Sequence, residues 1–68
     1  MPLKKRSFTI ARHRTSVALE REFWDVLEAY AARERLSIAA LVAKIDAERG
    51  ATPLASALRL HALAALKG

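Results

Sequence analysis

No cysteine occurs among the 68 residues, and there are only two histidines, two glycines and four aromatic side chains. Without cysteine no disulfide can staple a domain this small. A structural zinc site of the usual four ligands would need carboxylates at spacings the sequence does not show. Glycine is too scarce for a phosphate-cradling loop, and no Ser–His–Asp or Cys–His arrangement stands out, so the expectation is no enzyme, no cofactor and no metal. No apolar run approaches transmembrane length, and Phe8-Thr9-Ile10-Ala11 is too short for the core of a secretory signal. An Arg-rich targeting peptide would be an amphipathic helix, whereas this N-terminus alternates like a strand. These absences predict a soluble, cytoplasmic protein. A domain of this length buries only about 60% of its unfolded surface, so oligomerisation is the expected route to a sufficient core.

Acid is also missing where it would matter most. Residues 1–18 carry Lys4, Lys5, Arg6, Arg12 and Arg14 and no carboxylate, while the remaining basic and acidic side chains balance. The whole net charge of +5 therefore lies in the N-terminal quarter. A patch that concentrated is an electrostatic footprint for a polyanion, with nucleic acid the first candidate.

What the chain does have is periodicity. Residues 7–19 alternate like a strand, but the phase slips: Phe8 and Ile10 are even-numbered, whereas Thr15, Val17 and Leu19 are odd. One straight strand cannot bury both sets, which predicts a bend near 11–14. The chain either folds back there to make a short extra strand or sends Phe8 and Ile10 against a partner's third helix. A helix follows over 20–34, with Phe23, Leu27, Tyr30 and Ala31 on one face and Trp24 and Val26 beside them. Ser37 is a natural N-cap for a second helix over 37–49, carrying Ile38, Leu41, Val42 and Ile45. Gly50 suits its C-terminal end, and Thr52-Pro53 opens a third helix over 53–67. Leu60, Leu63 and Leu66 widen that helix's apolar face, which suggests burial on more than one side. The expected organisation is a single domain, 1–68, led by a basic arm at 1–6. One strand cannot satisfy its own backbone groups, and the economical partner is the same strand of a second copy.

Arg14-Thr15-Ser16-Val17-Ala18-Leu19, the helix from Glu20 and Ser37-Ile38-Ala39-Ala40-Leu41 together resemble the ribbon-helix-helix DNA-binding family. More closely, RSFTIARHRTSVALEREFWDVL and the later LASALRL resemble a small alphaproteobacterial subfamily with the pattern R-S-F-x-I-x-G-H-R-T-S-V-x-L-E-x-x-F-W, then L-S-S-A-L-R. Arg12 stands where that pattern has glycine, and Ala55 where it has serine. The resemblance implies a mainly α fold, β-α-α plus a third helix. It implies an intertwined two-fold homodimer whose antiparallel two-stranded ribbon forms between chains. It also implies a bacterial transcriptional regulator, a repressor, that reads double-stranded DNA in the major groove.

Under that resemblance Arg14, Ser16 and Ala18 face out from the ribbon as base readers. An arginine fork suits guanine, serine suits either base edge, and alanine touches a thymine methyl. Arg12 implies either an ordinary bend or an added phosphate contact. Ser37 heads a helix whose free amides hold a phosphate, and Lys4, Lys5 and Arg6 ride on the backbone as a flexible arm. His13 is a turn histidine and His61 a partly buried surface or interface residue, while Trp24 and Tyr30 belong to the core. Two other readings compete. One is a protein-interaction module, antitoxin-like or bound to an unknown protein through the third helix, although only Lys67-Gly68 follow that helix. The other is membrane-surface binding, which the third helix opposes by lacking a strongly charged face. The expected partners are therefore double-stranded DNA and a second copy, with further association on tandem sites and no membrane.

Overall fold

A computed structural model describes residues 2–68, so Met1 of the expected arm lies outside the described residues. Two strands come first, β1 (Leu3–Ile10) and β2 (His13–Glu20), and three helices follow: α1 (Arg21–Arg33), α2 (Ile38–Glu48) and α3 (Leu54–Lys67). The strands form one antiparallel sheet within the chain, in the register Leu3↔Glu20 through Ile10↔His13. The chain thus folds back to make an extra strand, one of the two alternatives the phase slip left open, and one expectation is corrected here. Leu3–Arg6 are not a free arm but the first half of β1. The cause is a reversal of the chain over Ala11-Arg12, at φ 51° and 70°. Two residues of positive φ between paired strands make the hairpin turn whose twist matches the strands.

The turn also explains the phase slip. Every pair in the register sums to an odd number, so even residues of β1 share a face with odd residues of β2. Phe8, Val17 and Leu19 are buried together on that face, with Ile10 and Thr15 half-buried beside them. Beneath lie Trp24, Leu27 and Ala31 of α1, Leu41, Val42 and Ile45 of α2, and Ala57, Leu58 and Ala62 of α3. Phe8 and Trp24 meet as a tilted aromatic pair with centroids 6.0 Å apart. The spacing that identifies α1 and α2 in the sequence is thus the spacing of their buried sides, whereas the expected second buried side of α3 is corrected, since Leu60, Leu63 and Leu66 stay exposed within this chain.

Backbone caps set the helix ends. α1 closes with Leu36 N–H donating to Ala31 O at 2.8 Å and Arg35 N–H to Ala32 O at 3.1 Å. That motif puts Arg35 at φ 59°, where glycine is usual. Ser37 Oγ accepts from Ala40 N–H at 3.0 Å and caps α2. Gly50, at φ 58°, follows α2 and lets the chain turn towards Pro53 and α3. On α3, Leu60, Leu63 and Leu66 remain exposed, at 62%, 47% and 68%.

Candidate nucleic-acid interface

The hairpin turns one face to the helices and the other to solvent. On the solvent side β2 presents Arg14, Ser16 and Ala18, and β1 presents their partners Thr9, Ser7 and Lys5. All six are exposed except Ala18, which is half-buried. Ser7 Oγ and Ser16 Oγ hydrogen-bond across the ribbon at 2.8 Å, which fixes two hydroxyls side by side at the centre of the face. These three cross-strand pairs contain two cations and no carboxylate. Arg12 sits exposed at the turn, continuing the positive charge to the tip. The nearest acid in sequence, Glu20, is drawn towards α3 by Arg59, whose Nε donates to Oε1 at 3.0 Å.

Neighbouring cations on β1 take opposite roles because strand side chains alternate. Lys5 points out beside Ala18, whereas Arg6 pairs with Val17 on the helix side. The Arg6 guanidinium lies 5.0 Å from the centre of the Trp24 ring and forms an ion pair with Glu28 at 2.9 Å. The guanidinium thus lies over the indole and reaches a carboxylate of α1, and so ties β1 to α1. Lys4 also has inward parity, and its carbonyl accepts Trp24 Nε1–H at 2.8 Å, although its side chain is exposed. Of the three cations expected on the phosphate backbone, Arg6 is thus the one whose guanidinium the tertiary fold also engages.

Of the residues singled out in the sequence, the structure gathers Arg14, Ser16, Ala18 and Lys5 on one face, with Arg12 at its end. Ser37 heads a separate element, α2. His13 is exposed and opposite Ile10, next to the turn, and His61 is half-buried with its ring edge-to-face on Tyr30 at 4.8 Å. Sequence reasoning missed Ser7 and Thr9. The signal was present in the phase slip: a two-residue turn at 11–12 makes 7 and 9 the facing partners of 16 and 14.

The turn itself is strained. Left-handed backbone costs an L-residue roughly 1–2 kcal/mol, and neither Ala11 nor Arg12 is a glycine. Glu20, at the other end of β2, has its carboxyl held below the ordinary value, first by a hydrogen bond from its own backbone N–H and then by the Arg59 guanidinium.

A cationic, hydroxyl-bearing two-stranded ribbon ahead of a helical layer defines a class of nucleic-acid-binding protein, because the major groove admits such a ribbon. The chain belongs to the ribbon-helix-helix domain family, whose sequence profile matches residues 3–66. That family is in general one of DNA-binding transcription regulators and antitoxins, built on a non-enzymatic fold. Comparison with curated proteins and with solved structures gives no match. Among the described residues no helix is long and apolar enough to cross a membrane.

Proposed function

We propose that this protein is a homodimeric, sequence-specific double-stranded DNA-binding regulator, a cytoplasmic bacterial repressor that lays the outer face of its hairpin in the major groove. The observation that carries the reading is the alignment of Arg14, Ser16 and Ala18 with Thr9, Ser7 and Lys5 on the outer face of the hairpin, three cross-strand pairs without a carboxylate. Arg14 supplies the bidentate fork for guanine O6 and N7, the Ser7–Ser16 pair offers hydroxyls to either base edge, and Ala18 permits close approach to a thymine methyl. Lys4, Lys5 and Arg12 add phosphate contacts that raise affinity without selecting sequence, and Ser37 with the α2 amides adds another.

Selection of bound duplexes from a random library, followed by salt titration of the winner, tests this directly. Binding falls steeply with salt. Arg14→Ala costs about 1–3 kcal/mol on the selected site and relaxes preference at one base pair. Equal binding by variant and parent removes Arg14 from the interface.

A second reading has one observation in its favour. Leu60, Leu63 and Leu66 give α3 a largely exposed apolar strip, as a protein-binding module of the antitoxin kind would need. Salt-insensitive DNA binding together with a stoichiometric protein bound at α3 would favour it.

A further inference from the structure

We infer that the hydrogen-bonded hydroxyls of Ser7 and Ser16 act as one unit that selects adenine, as a single amide side chain does. A lone serine hydroxyl holds one proton and two lone pairs, and it rotates to suit either kind of base edge. Here the two are cross-strand partners at the centre of the ribbon's outer face, both exposed, with Oγ to Oγ at 2.8 Å. One proton is spent between them, and neither hydroxyl has another bond among the described residues. The pair therefore turns outward one donor beside one acceptor, the pattern of an asparagine or glutamine amide. Either oxygen can give the shared proton, and reversing it swaps the two places without changing the pattern. Adenine offers the complement on its purine edge, with N7 accepting and N6–H donating. Guanine offers two acceptors, N7 and O6, so it needs both protons turned outward and the bond between the serines broken. Arg14, two residues from Ser16 on the same face, has donors only, so the two features select opposite purines. Ser7 lies on β1, so the preference depends on the folded-back strand; β2 by itself would present Ser16 as an unselective hydroxyl.

The inference rests on the ribbon reading double-stranded DNA, as proposed above, and names the base that the serine pair prefers. Duplexes are selected from a random library with the parent, with Ser7→Ala, and with Ser7→Ala combined with Ser16→Asn. Both positions are exposed, so these changes leave the core alone. The base pair whose preference changes in Ser7→Ala is the one the unit contacts. Adenine is expected there for the parent, with guanine bound at least about fivefold more weakly, the low end for a bidentate contact. Ser7→Ala removes that difference, and the double variant restores it through one amide. A duplex carrying 7-deazaadenine at that place, which lacks the N7 acceptor, binds the parent several-fold more weakly. Three results overturn the adenine unit while leaving the regulator reading standing, provided binding still needs Arg14. They are guanine bound as well as adenine, unchanged affinity for the 7-deazaadenine duplex, and no base pair altered by Ser7→Ala. Failure of the parent to select any duplex overturns both.

Discussion

Arg12 shows how one side chain can sit in the wrong backbone for its type. At φ 70° it occupies the left-handed region that glycine enters freely, and glycine is what the related pattern has at this place. Arg12→Gly is expected to stabilise the fold by roughly 0.5–1 kcal/mol, the relief of strain being partly offset by a looser unfolded state. A higher urea midpoint at unchanged slope is the measurement. Glu20 sits at the opposite end of β2 and gives a pH signature. Its folded carboxyl titrates lower than the unfolded one, so the fold gains stability above the unfolded pKa and loses it as pH falls through the folded value. Glu20→Gln is expected to be less stable than the parent at pH 7, with urea midpoints converging as pH falls through the folded carboxyl's lowered value.

Among the elements, β1 was the hardest to read and α1 to α3 the easiest. Helix faces are written in runs such as Ile38, Leu41, Val42 and Ile45, whose spacing alone names the buried side. β1 offers only Phe8 and Ile10 as apolar markers, because its other inward places hold Lys4 and Arg6. A cation with a long apolar stem can line a core edge, and nothing in its letter separates that role from a solvated arm. The distinction is measurable. Lys5→Ala is expected to weaken DNA binding evenly across sequences and to reduce the salt slope by about 1. Arg6→Ala is expected to leave the slope alone and to cost on the order of 1 kcal/mol of folding stability, since its ion pair is largely exposed and the ring contact is modest. Reversal of these two outcomes would exchange the roles of the two side chains.

For the whole molecule, what matters is how the ribbon and the helical layer share one small core. β2 alone would leave its backbone unpaired on both edges, and Phe8 would have no cover for Trp24 to share. Folding β1 back meets both needs, so the strain at the turn persists because the rest of the structure outweighs it. Phe8→Ala, which deletes that cover, is expected to cost about 3–5 kcal/mol, enough to unfold a large share of a domain this size at ambient temperature. Thermal or urea unfolding monitored by Trp24 fluorescence reports it, and a loss under about 1 kcal/mol would mean β1 is not part of the core.

By itself the sequence determined the side of each element: local periodicity sets which residues of β2 face out and which helix faces are buried, since each follows from backbone geometry within a few residues. The origin of the second strand was settled only by tertiary structure. Strand pairing joins residues far apart in the chain through backbone groups that every residue shares, and a turn of alanine and arginine carries no letter that announces it. It forms because burying Phe8 on Trp24 and pairing both strands outweigh the local preference of two side chains for a different backbone.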